Sequence, residues 1–354
     1  MKAPLLCCVW LVALSSLLAA TSRAQDKTDR LKALETIRER GGHWLDLSFG
    51  SKRPSLKVEC PKSFTDADLK LLHPLSDLVS LTLAGTKISD DGLSQLKEFK
   101  NLWQLDLYGS AVSDAGLRHL IAFPNLKALG LSGTRVTDAG LKHLAKMPRL
   151  DWLNLSHTAV TDEGLEILKN LSLETLFLDN TKISNDGLKS LAKMNSLAHL
   201  ELSYTGVTDA GLPNLAKLDL EELNLDSTKV SDAGLVHLKV MIYKRILNLS
   251  CPNITDAGLV HLKKMRGMQH LAVGRTRISD QGMVQIGQFK KLIGLDISNT
   301  DVSDGGIAVL ANCHRLKQLL AFETRVTPEG AQALQKLLPA LEIRRGKRNL
   351  LNLP

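Results

Sequence analysis

A short pattern, Ser/Thr-Asp-x-Gly-Leu, returns along almost the whole chain. Its glycine falls at 92, 116, 140, 164, 187, 211, 234, 258, 282, 306 and 330, a spacing of 24 residues that shortens to 23 into Gly187 and Gly234. A twelfth copy, Thr65-Asp66-Ala67-Asp68-Leu69, carries Asp in the glycine's place. So constant a period marks a repeat architecture, in which each unit buries its apolar face only against its neighbours. A chain of 354 residues would otherwise suggest two or three globular cores. Aromatic residues make up only 4% of it, as suits thin stacked leucine layers better than one thick core.

Each unit contains two periodicities. The Leu-x-x-Leu-x-Leu-x-x-Thr half, as in Leu126, Leu129, Leu131 and Thr134, alternates with period two and predicts a short strand with its leucines on one face. After the glycine, pairs such as Leu117/Leu120 and Leu141/Leu144 are three apart, one turn of helix. Pro328 replaces the Asp in the last copy, and proline favours the first helical position. The Ser or Thr is therefore expected to be the helix N-cap and the Asp the first helical residue, where its charge suits the helix dipole. Capping thus accounts for the aspartates without metal or acid–base chemistry, and the glycine is expected where neighbouring units approach closely. The threonines at 86, 134, 158, 181, 205, 228, 276, 300 and 324 are expected to bond backbone groups between layers.

These units resemble leucine-rich repeats, in particular the cysteine-containing-type variant with TDxGLxxL helices. Similar arrays occur in exported bacterial repeat proteins and in the repeat regions of F-box adaptors. The resemblance covers roughly Leu56 to Ile343 and departs from the subtype in having Thr where Cys or Asn is common; Gln25 to Gly50 is too short for an F-box. It implies an α/β solenoid, a horseshoe of about twelve 23–24-residue repeats with a concave parallel sheet and convex short helices.

The ends read differently from the array. Lys2, the apolar stretch Leu5–Ala20 and Ser22-Arg23-Ala24 read as a signal peptide over 1–24, with a membrane anchor as the alternative. Residues 25–50 are expected to cap the solenoid, with Leu31, Leu34 and Ile37 on one face of a helix that stops at Gly41-Gly42, followed by a strand over His43–Phe49. The solenoid is assigned to 51–346 and a tail or cap to 347–354. Much of the net charge of +8 lies at the ends, in Lys2, Arg23, Arg344, Arg345, Lys347 and Arg348. No basic stripe interleaved with aromatics runs between them, which argues against nucleic-acid binding. Export would place the protein in the periplasm, at the cell surface or outside the cell, with no membrane association after signal removal. Cys60, Cys251 and Cys313 are odd in number and far apart, so they read as buried fillers and not as a disulfide framework.

The residues between the strand leucines are free of the folding requirement and carry the functional reading. Consecutive middle units offer Trp152 and Asn154, then Phe177 and Asp179, then His199, Glu201 and Tyr204, then Glu222, Asn224 and Asp226. Aromatics beside carboxylates on successive strands point to a locally acidic concave patch for a basic or hydroxyl-rich ligand, most simply a protein segment. The carboxylates are expected to be solvated. The alternatives are a carbohydrate or cell-wall module stacking sugars on Trp152 and Phe177, a hydrolase using Glu201 and Glu222, and a ubiquitin-ligase-type adaptor. No phosphate loop, nucleophile elbow or metal cluster occurs in the sequence. The expectation is a non-catalytic, monomeric binding scaffold without cofactor. The paired His119/His143 and His237/His261 read as a solvated helix face. Lys244, where a leucine belongs, and Cys251-Pro252 read as drift in a tolerant repeat.

Overall fold

A computed structural model describes residues 25–47, 55–242 and 244–347. The signal-peptide reading of 1–24 and the tail from 348 onward lie outside them. The described residues form two compact units, divided between Leu129 and Gly130.

The first unit opens with a helix over 25–39. Its buried face is Ala33, Leu34 and Ile37, whereas Leu31, expected there, is exposed. The helix ends on Gly41 at φ +91°, a left-handed turn in which Gly41 N–H and Gly42 N–H return to Arg38 and Ile37 carbonyls. Strand β1 (His43–Asp46) pairs antiparallel with β2 (Leu56–Glu59), so the capping strand runs against the rest; β3 (Leu78–Thr82) and β4 (Gln104–Asp106) then add in parallel. Arg30 ties this cap down through Asp46 and Asp77 at 3.0 and 2.8 Å. Strand β5 (Ala128–Gly130) spans the division between the units.

In the second unit nine strands follow in chain order: β6 (Trp152–Asn154), β7 (Thr175–Phe177), β8 (His199–Glu201), β9 (Glu222–Asn224), β10 (Ile246–Asn248), β11 (His270–Ala272), β12 (Gly294–Asp296), β13 (Gln318–Phe322) and β14 (Glu342–Gly346). All neighbouring pairs are parallel and in register, so Leu153, Leu176, Leu200, Leu223, Leu247, Leu271, Leu295 and Leu319 form one row. That row is buried, with helix leucines such as Leu165 and Leu168, in a core between strands and helices. The flanking strand residues face outward.

The aspartate of each pattern does more than begin a helix. Asp232 begins the helix Asp232–Leu238, and its carboxylate also accepts from the Thr255 main-chain N–H (2.8 Å) and hydroxyl (2.6 Å) of the next repeat. Asp138, Asp162, Asp209, Asp256, Asp280 and Asp304 bind the next N-cap in the same way. Asn185 substitutes by accepting Thr208 N–H and donating to its hydroxyl. The glycine follows from this bond. A Cβ on Gly258 would stand 2.2 Å from Asp232 Oδ1. In the first unit Asp68 holds the glycine position at the start of the array, with Arg40 of the capping segment 2.7 Å from it. Arg40 and the hydrogen bonds from Thr65 hold the Asp68 carboxyl well below the usual carboxylate range.

The threonine column works within layers, not between them as expected. Thr134, Thr158, Thr181 and Thr205 each donate to the carbonyl three residues upstream at 2.6 Å, closing the turn after the strand. Lys244 takes a leucine's place inside the core, fully buried, with Nζ on the Leu220 carbonyl.

Candidate functional site: the outward sheet face of residues 130–354

The register sets two outward rows. One runs Trp152, Thr175, His199, Glu222, Ile246, His270, Gly294, Gln318; the other runs Asn154, Phe177, Glu201, Asn224, Asn248, Ala272, Asp296, Leu320. All ten residues singled out from the sequence fall on this face or at the turn that follows it. The Trp152 and Phe177 rings meet at 5.2 Å between centroids, tilted by 54°.

Several of these side chains have work within the fold. Asn154 and Asn224 accept from the main-chain N–H two residues on, at 2.9 and 2.8 Å, as Asx turns at the strand ends. Asp179 accepts from the Ser203 N–H and hydroxyl and from the Ser156 hydroxyl. Asp226 is not a free acid: both its oxygens lie 2.7 Å from one Nη of Arg275. Arg275 also reaches the Tyr204 hydroxyl at 3.5 Å, which helps hold that phenol below its ordinary pKa. His199 joins the Thr175 hydroxyl at 3.1 Å and stands 3.9 Å from Glu222.

Glu201 departs from the expectation of a solvated carboxylate. It is half-buried, and burial pushes its carboxyl up to about 7. The charges of Asp179 and Glu222 push the same way, against a hydrogen bond from Asn224.

The sequence reading passed over two features. Arg275 is one. It belongs to a column of left-handed residues at the turns after β6 to β9 and β11 to β13: His157, Asn180, Tyr204, Ser227, Arg275, Asn299 and Glu323. Earlier repeats fill that column with Gly85, Gly109 and Gly133, which was the available signal. The second is a cavity of about 330 Å³ across β8 to β13. Its floor is the main chain of Leu223, Leu247, Leu271 and Leu295, whose side chains turn into the core; Ile246, Ala272 and Leu320 supply its outward apolar side chains, and Glu201, Asn224, Asn248, His270, Asp296 and Gln318 stand around it. Ala272 and Gly294 make the depression, and a Cβ at Gly294 would meet His270 Nδ1 at 2.6 Å. Trp152 and Phe177 lie outside the lining; of the ten candidate residues, Glu201 and Asn224 belong to it. Among the described residues no group of three His, Cys, Asp or Glu is arranged to hold a metal ion.

Comparison with known proteins agrees with this architecture. A family model for the leucine-rich repeat matches residues 153–168. An internalin (inlF) from Listeria monocytogenes is similar over 79% of this chain and 77% of its own, with 21% identity and a TM-score of 0.57. An internalin C2 of the same organism shares 22% identity over 59% of this chain and 83% of its own, with a TM-score of 0.45. A leucine-rich-repeat protein of Leptospira interrogans shares 17% identity over 85% and 95%, with a TM-score of 0.44. A search of curated proteins finds no match. The chain is a leucine-rich-repeat protein by fold. Among the described residues no helix is long and apolar enough to cross a membrane.

Proposed function

We propose that the chain is a non-catalytic scaffold that binds a segment of a partner protein on the outward sheet face of residues 130–354. The cavity across β8 to β13 carries this reading, because it combines the outward apolar side chains of Ile246, Ala272 and Leu320 with a rim of carboxylate, carboxamide and imidazole groups. The paired rings of Trp152 and Phe177, two strands from Glu201 at most, extend the surface towards β6. Their tilt makes a cleft better suited to a side chain than a flat shelf for a sugar ring. The Asp–Ser/Thr–Gly ladder supports assignment to the TDxGL subclass, and the apolar stretch before Gln25 supports export.

The test is affinity capture from the exported fraction with the parent chain, an Ala272→Trp variant and a Trp152/Phe177/Glu222 triple-Ala variant. A partner held by the parent and lost by folded Ala272→Trp supports the reading; equal capture by all three overturns it.

One observation favours the hydrolase alternative, namely the raised pKa of Glu201. Glu222, its supposed partner, is in the other row: Glu201 pairs in register with Asn224, and Glu222 with His199. Turnover of fluorogenic glycosides that disappears in Glu201→Gln would establish that alternative.

A further inference from the structure

We propose that the occupant of the β8–β13 cavity is an extended segment carrying a lysine or arginine, whose cationic head sits against Glu201 while its aliphatic stem lies against the outward side chain of Ile246. The inference rests on the binding reading above and specifies its chemistry.

Charge complementarity is the first argument. The chain carries a net +8, yet among the described residues the lining contains no Lys or Arg and has carboxylates at Glu201 and Asp296. These two lie four strands apart in one row, about 19 Å at ordinary strand spacing. That length suits an extended peptide running across the strands. Between them stand Asn224 and Asn248, whose carboxamide oxygens the Asx turns already engage. Their NH2 groups point the other way along the amide, and Asn224 uses its own on Glu201.

The second argument is local. Glu201 is faced by Phe177 of β7 and Asp179 in the turn after it, on its own strand by His199, and from β9 by Asn224 and Glu222, with Asp226 beyond. Asp226 is already neutralised by Arg275, so the same face shows how a guanidinium is held by a carboxylate there. Among the described residues no Lys or Arg pairs with Glu201, and its surroundings resist its negative charge. An incoming ammonium or guanidinium supplies the missing countercharge, and its methylene stem lies against Ile246 as lysine and arginine stems do on apolar surfaces.

Binding of the cation then requires the ionised carboxyl and releases a proton. With the free carboxyl near 7, affinity should weaken about tenfold between pH 8 and pH 6.

The probe is a blocked octapeptide alternating Ser and Lys, with Ser–norleucine and Ser–Glu octapeptides as controls, titrated into the full chain by calorimetry at pH 6 and pH 8. The expected result is binding of the Lys peptide alone, about tenfold weaker at pH 6. Glu201→Gln should abolish the preference for Lys over norleucine and flatten the pH dependence, isolating this carboxyl from His199 and His270. Equal binding of Lys and norleucine peptides, both lost in Ala272→Trp, overturns the cationic inference and leaves the binding reading standing. Retention of the Lys preference in Glu201→Gln also overturns it. Binding of none of the peptides by the parent overturns the inference, and partner capture by the parent but not by Ala272→Trp would still sustain the broader reading.

Discussion

Nζ of Lys244 donates a 2.7 Å hydrogen bond to the carbonyl of Leu220, inside a core built mainly from leucine. Burial lowers this amine from its ordinary value to about 7, against the pull of Asp219, Glu222 and Glu221. In the unfolded chain the amine titrates near 10.4. Between these values the unfolded state binds the extra proton, so stability rises with pH across that window. Below pH 7 both states are protonated and the full penalty remains. Lys244→Met should therefore raise stability by on the order of several kcal/mol at pH 6, with the advantage shrinking towards pH 10. Urea unfolding of both proteins at pH 6, 8 and 10 checks this; a constant difference across that range would refute it.

The bond from Asp232 to Thr255 and the space at Gly258 are one device, because a Cβ at 258 would strike Asp232 Oδ1. Asp232→Ala removes a charged acceptor and should cost about 2–3 kcal/mol. Gly258→Ala should cost a similar amount by displacing that carboxylate. The double variant should cost clearly less than the sum, since removing the carboxylate makes room for the methyl. Additive losses in denaturant unfolding would separate the two features.

Ser110 holds the threonine column's place in its repeat, and its buried hydroxyl lacks a hydrogen-bond partner among the described residues. Thr86 in the preceding repeat donates to Leu83 O at 2.6 Å. Ser110→Thr restricts the rotamer and should direct the hydroxyl to Leu107 O. The expected gain is about 0.5–1.5 kcal/mol, read as a rise in Tm.

The thiols of Cys60, Cys251 and Cys313 are buried, and burial raises all three above their ordinary value, Cys60 to about 12. Thiolate is the reactive form. Iodoacetamide at pH 8 should leave these three unlabelled in the folded chain and label them in guanidinium. Rapid labelling of any of them without denaturant would contradict the buried placement.

The fold was legible because its determinants repeat. Twelve copies of one pattern report the same strand, turn and helix, so an isolated departure such as Asn185 or Asp68 does not obscure it. The candidate site was only partly legible because it depends on departures from the pattern. Asp226 reads as an acid until Arg275, 49 residues away, is seen to hold it. The depression exists because Ala272 and Gly294 are small among larger neighbours, a relation that only the strand register reveals. Leu31 was misplaced for a simpler reason: in a single helix, Ala33 and Leu31 satisfy a helical period about equally well, and the packing partner chooses between them.

The Asp-to-hydroxyl joint also bears on how such a chain changes length. Nearly every unit carries the carboxylate that its successor needs and the hydroxyl that its predecessor needs. Any two of these units therefore present matching ends. Excising one whole 24-residue stretch, or inserting a copy of it, brings together a seam already present elsewhere in the molecule. Cutting half a unit leaves a carboxylate facing no cap. Recombination in whole periods is thus the inexpensive path for this architecture, and the joint works as a gauge that keeps insertions in frame with the fold.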